Sequence, residues 1–500
     1  MPKFPGWCEQ GIRYSFYALA YFLPISISLV EIFATLIIWG YLFLAGREYV
    51  RVLRSRKGNS SGLPPGMYLP GVVPFPGRAF MYACGIFLAA NVISTVTSQY
   101  PLKSFEALFF KLSEGLILLF AFCATMATPK RLKMVVAAFL LSATLTSLDA
   151  LYQSWSGRGF VRGFEIVEQA RVTSSFKHPN DFGGFLVVAS SIILSFILTG
   201  IFDLLLRRGP KGASSEHSLP QCIFVWAWLG CLFVTVLWSL GLTFSRGAWL
   251  GFIVATLGLS FFRRKAFFLL LCVCVLFIVI FHPQLYKVRG KNLRVYNTKG
   301  IVMQPKDVKT IISPADESSS SPAALSVPAH GEERETTQCW LVFNKVMTAF
   351  EVIAGKSMGR YNFWKEALLI IKDYPLFGAG LNTYSEVAPR YRINWGGYPH
   401  NCYLHMAAET GLAGLASFLW LLFVFLWRSW SRILKVQDRF LLSLAMGGLT
   451  GLSGFLVQSF FDTNLYSVQL NTLFWFVMGM VIVSIRVGEA GRGPACSLTN

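Results

Sequence analysis

Residues 221–262 read QCIFVWAWLGCLFVTVLWSLGLTFSRGAWLGFIVATLGLSFF, an apolar run whose single charged side chain is Arg246. A helix that crosses roughly 30 Å of hydrocarbon needs about 20 apolar residues. The run therefore divides into two spans, 221–243 and 246–262, joined by a turn that carries one cation. Eight further runs of this kind lie near 80–98, 105–127, 131–152, 181–206, 265–282, 400–427, 440–460 and 468–486. Residues 12–44 are too long for one ordinary span and contain Pro24, which predicts a tight hairpin of two helices. The expected fold class is all-α, a polytopic membrane protein with about 12 transmembrane helices.

Composition agrees. The 500 residues are 54% hydrophobic and only 14% charged, with a mean hydropathy of +0.52. A soluble domain carries about 25% charged residues. The formal net charge of +20 would suggest nucleic acid in a soluble protein. In a membrane protein it is explained by Lys and Arg collecting in the loops that stay in the cytoplasm, and no nucleic-acid partner is expected. The ten cysteines form no CxxC pair and fall mostly inside apolar runs, where they read as small hydrophobes. The N-terminal stretch reads as a retained anchor, since no small-residue cleavage site follows a short apolar core.

Charge also sets the orientation. Numbered in order, the spans place the linkers with Arg47 to Lys57, Lys130 to Lys133, Arg207 to Lys211, Arg263 to Lys265 and Arg428 to Arg439 on one side. That side is expected to be cytoplasmic. The other side receives Gln99–Lys103, Ser154–Asn180, Thr243–Arg246, residues 283–399 and Phe461–Ser467, the expected working face. The chain then divides into N-terminal transmembrane helices, about nine of them, over 1–282, a large extracytoplasmic loop over 283–399, and three C-terminal transmembrane helices over 400–490. Within the loop, the Ser, Pro and charge-rich stretch near 310–338 has no periodicity and is expected to be disordered. After it, Trp364, Leu368 and Ile371 recur at helical spacing, predicting a membrane-lying helix that ends before Pro375.

Polar residues at span boundaries are the candidates for chemistry. Arg246 is either a headgroup anchor or a fixed cation aimed at a phosphate, for which the guanidinium fork is suited. Arg360 opens the loop helix and reads as either an exposed helix-end residue or a second cation. His400 stands immediately before the span that begins near it, as an interfacial residue or as a base whose imidazole titrates near neutral pH. His178 and Asn180 lie at another entry on the same side, where helix capping by Asn180 is the alternative to a supporting role. Asp462, in the last turn of that side, is either a helix-end residue or a carboxylate that orients an Arg or His. No GxxxxGK[ST], HExxH or paired CxxC is present, so neither ATP hydrolysis nor a dedicated zinc site is indicated.

In the segment HNCYLHMAAETGLAG, residues 400–414, His400 and Asn401 are followed by nine residues, then Gly411, two residues and Gly414. With RYNFWKEALLIIKDYPLFGAGLNTY (360–384), TFSRGAWLGF (243–252) and HPNDFGG (178–184), it resembles the bacterial O-antigen ligase and O-antigen polymerase superfamily. The motifs cover roughly 173–192, 241–252 and 360–415. The resemblance implies a GT-C-like membrane architecture with a large extracytoplasmic loop, and a metal-independent glycosyltransferase without cofactor in the bacterial inner membrane, its active site facing the periplasm. The implied donor is an undecaprenyl-diphosphate-linked glycan, and the acceptor is lipid A core, a growing glycan or a protein. In that reading His400 is the catalytic base, Arg246 and Arg360 hold the diphosphate, and Asn401, His178, Asn180 and Asp462 support them. Ligase, exopolysaccharide polymerase and protein O-oligosaccharyltransferase share the donor and differ in the attacking hydroxyl. The non-enzymatic alternative is a transporter for a lipid-linked glycan, which should show internal repeats and mid-membrane polar residues. Here the informative polar residues gather at one edge instead.

Overall fold

The computed structural model describes residues 6–56, 77–166, 171–206, 219–290, 295–296, 302–303, 358–391 and 397–490. The stretch near 310–338 and Cys339 lie outside them. The chain divides into two compact units, one comprising Met1–Phe281 with Phe363–Asn500, the other His282–Asn362. In the smaller unit Val295–Tyr296 pairs antiparallel with Val302–Met303.

Thirteen helices carry the rest of the description. They are α1 (Gly6–Phe22), α2 (Ile27–Arg56), α3 (Arg78–Val96), α4 (Pro101–Thr125), α5 (Pro129–Ser156), α6 (Pro179–Leu206) and α7 (Leu219–Leu242). There follow α8 (Arg246–Phe262), α9 (Phe267–Gly290), α10 (Met358–Asp373), α11 (Cys402–Ile433), α12 (Arg439–Gln458) and α13 (Val468–Ala490). Among the described residues nine of these are long and apolar enough to cross a membrane, namely α2–α7 and α11–α13. The protein is a multi-pass membrane protein. The helix α8 is apolar but has only 17 residues, as has α1. At 1.5 Å per residue α8 rises about 26 Å, somewhat less than the hydrocarbon core of about 30 Å. The expected hairpin at Pro24 is present, because the amides of Ile25 and Ser26 turn back onto the Phe22 carbonyl and separate α1 from α2.

The centre of the bundle is α12, whose sequence GGLTGLSG (447–454) removes side chains where helices must touch. A Cβ on Gly454 would lie 2.3 Å from the Gly251 carbonyl oxygen of α8, and one on Gly447 would lie 2.7 Å from Ile192 Cα of α6. Backbones this close replace apolar transfer energy, which lipid does not supply, with dispersion contacts. The result fixes α6, α8 and α12 as one rigid group.

The helix α11 is broken rather than continuous. Gly411 has φ 70° and ψ −178°, a conformation that glycine alone adopts without strain. The break frees backbone groups, and the turn 375–380 takes them up. Leu412 and Ala413 donate to the carbonyls of Pro375 (2.8 Å) and Leu376 (3.1 Å), while Ala379 and Gly380 donate to those of Ala408 (3.0 Å) and Glu409 (2.9 Å). Irregular backbone at membrane depth is tolerated where protein satisfies it in this way. The helix α10 stands beside this junction, but its fully buried face is Glu366, Ala367 and Ile370, one position round from the expected Trp364, Leu368 and Ile371, which are half-buried. Ala367 and Ile370 belong to a core cluster with Tyr384, Val387 and Ala408, so this helix is packed onto protein.

Candidate functional site

Three helix N-termini and one C-terminus meet at one end of the bundle. Gln458, the last residue of α12, donates its side-chain amide to the Asn180 carbonyl at the start of α6 (2.8 Å). A Cβ on Gly247, one residue into α8, would sit 3.1 Å from Phe461, and one on Gly183 would sit 2.8 Å from Ala248. The first amide of α11, Cys402 N–H, donates to the carbonyls of Ser459 (2.9 Å) and Asp462 (3.1 Å). The positive ends of the α6, α8 and α11 dipoles therefore face one region, each equivalent to about half an elementary charge. Backbone amides and dipoles arranged in this way favour a bound anion.

The chain pays for that arrangement in strain. Among the described residues four non-glycine residues have positive φ: Ser174 (49°), Phe244 (47°), Asn382 (60°) and His400 (47°). Three of them stand within a few residues of those helix starts. A positive φ is tolerated by Asn and His and is uncommon for a residue as bulky as Phe. Strain of this kind persists where surrounding structure holds it, and it clusters at sites.

His400 lies in this strained turn with its side chain 41% exposed, and its Nδ1 is 3.4 Å from Asp462 Oδ1. Asp462 is 8% exposed, and the same Oδ1 accepts from Thr463 N–H at 2.9 Å. The carboxylate is thus fixed before the imidazole meets it. A proton on Nδ1 facing Asp462 leaves Nε2 as the acceptor. The Phe363 ring of α10 packs edge-on to the imidazole, centroids 5.9 Å apart. Asn401 is 1% exposed and caps α11, its Oδ1 accepting from Tyr403 N–H (2.9 Å) and Leu404 N–H (3.0 Å).

The other predicted residues fall as follows. Arg246 is the first residue of α8, following the Ser245 cap, with an exposed side chain. A cation there opposes the helix dipole, so local helix energetics do not explain it. Asn180 is not the cap of α6. The helix starts at Pro179, its first bond runs from Phe182 N–H to the His178 carbonyl, and the Asn180 side chain instead accepts from Arg171 at 2.5 Å. His178 is exposed at that helix start. Arg360 lies in the first turn of α10, and its side chain is outside the description. The geometry brings His400, Asn401, Asp462, Asn180 and Arg246 to one end of the molecule.

Sequence reading missed several residues here. Arg171 ties the 171–178 segment to both Asn180 and the Thr243 carbonyl (2.8 Å). Asp149, fully buried, accepts from Val161 N–H (2.9 Å) and Ser174 Oγ (2.8 Å) and so anchors the same segment. Inside α11, His405 Nε2 lies 3.2 Å from Glu409 Oε1, both side chains 2% exposed, and Tyr466 stacks on the imidazole at 3.6 Å. Burial, reinforced by Glu409, holds the Tyr466 hydroxyl well above its ordinary range, so it stays protonated. Burial followed by Glu366 does the same for Tyr384. Asp149 and Glu409, acidic residues inside otherwise apolar spans, were the available signal. The seven cysteines whose side chains are described are free, and the Cys402 thiol donates to the Asp462 carbonyl at 3.2 Å.

Residues 231–419 match the family model described as O-antigen ligase. The match contains Arg246, Arg360, His400 and Asn401, and it ends before Asp462. No curated protein matches the chain. The family match therefore supports the resemblance carried by the motifs at 241–252 and 360–415, over residues 231–419 of the chain.

Proposed function

We propose that this protein is a membrane glycosyltransferase that moves a glycan from an undecaprenyl-diphosphate-linked donor to an acceptor hydroxyl on the outer side of the inner membrane. One observation carries the reading: an accessible imidazole, backed by a fixed carboxylate, stands where three helix N-termini and Arg246 converge.

The chemistry needs those parts. The acceptor hydroxyl gives its proton to His400 Nε2 as its oxygen bonds to the anomeric carbon, and the bond from that carbon to the phosphate oxygen breaks. The lipid diphosphate leaves with the electron pair. Asp462 orients the ring and stabilises the imidazolium that forms. Arg246 and Arg360 counter the charge that grows on the leaving diphosphate, together with the helix dipoles. Asn401 and Asn180 hold their helix starts in register, and His178 supplies a polar edge to the same region. The donor's phosphate ester provides the driving force, so no nucleotide is needed at this face.

The broken α11 is a feature that transporters also use, where unwound backbone binds an ion or substrate. Here the turn 375–380 occupies the freed groups, which favours the enzyme. The test is purified protein in proteoliposomes with undecaprenyl-diphosphate glycan, offered lipid A core, a second lipid-linked repeat or a peptide in turn. Transfer to one acceptor without nucleotide is expected. Donor that crosses the bilayer but never loses its glycan would overturn the proposal in favour of transport. Arg246→Lys should lower turnover by about 10-fold or more, because a charge-assisted hydrogen bond is worth about 1.5–3 kcal/mol and a point charge cannot copy the fork.

A further inference from the structure

A cavity of about 280 Å³ opens on the far side of the 462–467 turn, between α2, α3, α4, α11 and α13, and neither His400 nor Arg246 lines it. Its size is near the lower end of small-ligand sites, which run from about 300 Å³. It therefore has room for one ring rather than a chain of them. Three features mark it as built. The wall from α4 contains a π-helical turn, Leu108–Leu112, a rare distortion frequent at functional sites. That turn sets Phe110 and Lys111 at the cavity, and Phe110 is 71% exposed, so the cavity reaches the outer surface of the apolar belt.

The second feature is Asn91, which lines the cavity from α3 and is 1% exposed. Its amide nitrogen donates to the Phe87 carbonyl at 2.8 Å, while its oxygen has no hydrogen bond among the described residues. A ligand donor reaching that oxygen would give it the partner it lacks. Third, Asn471 uses its oxygen on Trp475 Nε1 (3.1 Å), leaving its amide nitrogen to donate. The cavity thus asks for a ligand that both donates and accepts.

Charge narrows the class. Among the described residues Glu31, Glu114 and Glu409 line the cavity against a single cation, Lys111, which is engaged with Asn382 Oδ1 at 2.8 Å. A phosphate would meet more negative than positive charge, and an ammonium would meet Lys111. A hydroxyl-bearing ring satisfies the amides and carboxylates, and its C–H face packs on flat aromatic walls such as Trp475 and Phe110. From this we infer that the cavity is a second site, binding the hydroxyl-bearing ring of a neutral sugar whose apolar tail, when it has one, leaves past Phe110 into the bilayer. The inference requires no role for His400.

The test uses protein in lipid nanodiscs and octyl β-glucoside carrying a photoreactive diazirine in its chain, with labelled peptides mapped by mass spectrometry. Labelling should concentrate on 101–125 and 468–490 and be competed by unlabelled octyl β-glucoside but not by octyl phosphate or octylamine. Competition by free glucose as strong as by octyl β-glucoside supports the same ring site with a free sugar as its source. Asn91→Leu should reduce labelling about 10-fold, the equivalent of roughly 1.4 kcal/mol, with Asn91→Ser restoring part of it. A matched melting temperature for the Leu variant checks that it is folded. His400→Ala should label like the unmodified protein, which separates this site from the proposed catalytic one. Competition by octyl phosphate or octylamine equal to that by octyl β-glucoside, labelling spread evenly over lipid-facing helices, or no response to both Asn91 variants would overturn the inference.

Discussion

Replacing Gly411 by Ala tests whether the break in α11 is a built joint. The Cβ would lie 2.2 Å from the Leu376 carbonyl oxygen and 2.3 Å from its carbon, so one backbone must move by about 1 Å or more to reach ordinary contact. At φ 70° and ψ −178° the alanine also carries strain of about 1–3 kcal/mol. The movement disrupts at least the two nearest bonds, Leu412 N–H to Pro375 and Ala413 N–H to Leu376, at about 0.5–1.5 kcal/mol each. The expected loss is about 2–6 kcal/mol. Gly85→Ala is the control, because nothing lies within 4 Å of its Cβ and an alanine in a helix interior gains about 0.5–1 kcal/mol over glycine. Denaturant unfolding in a fixed detergent, followed with limited proteolysis of 375–391, reads both. A Gly411→Ala protein within 1 kcal/mol of the parent, with the turn still protected, would refute the reasoning.

Asn401→Ala removes an acceptor shared by two amides and should cost about 1–2 kcal/mol of stability, checked by the same unfolding measurement. Asp462→Asn should lower kcat with donor binding unchanged, since the carboxylate acts through the imidazole; weaker donor binding at normal kcat would contradict that role. Lys103 pairs with Glu386 across the 383–391 turn, and this partner holds the Glu386 carboxyl below its ordinary range. A carboxyl with a depressed folded value contributes stability above its unfolded value and loses it as pH falls through the folded one. Protease sensitivity of 383–391 should therefore rise as the pH drops below the ordinary carboxylate range, and Glu386→Gln should flatten that response.

Much of the bundle was legible because membrane spans are written as long apolar runs. Helices appear at all ten expected runs, and Pro24 divides α1 from α2. What the pattern did not carry is how the segments touch. The face of α10 is turned by one residue because Ala367 and Ile370, small or slim, pack against Tyr384 and Ala408, while the larger Trp364 stays at the rim. The spacing from His400 and Asn401 to Gly411 and Gly414 was readable as a motif, yet its first glycine serves a backbone junction with residues 375–380, a partner remote in sequence. Asn180 read as a cap because its type suits one, and Pro179 moved the helix start ahead of it. His405 and Tyr466 stayed hidden because a buried polar cluster has no period, although Glu409 marks its place as an acidic residue inside an apolar span.

The central claim is that His400 takes the proton from the attacking hydroxyl. The most direct measurement is release of undecaprenyl diphosphate by purified His400→Ala protein in proteoliposomes, with donor binding measured on the same preparation. The account predicts donor bound as in the parent and turnover lower by about 10²–10⁴-fold, the usual contribution of a positioned base. Turnover near that of the parent, with product on the same acceptor, would contradict it.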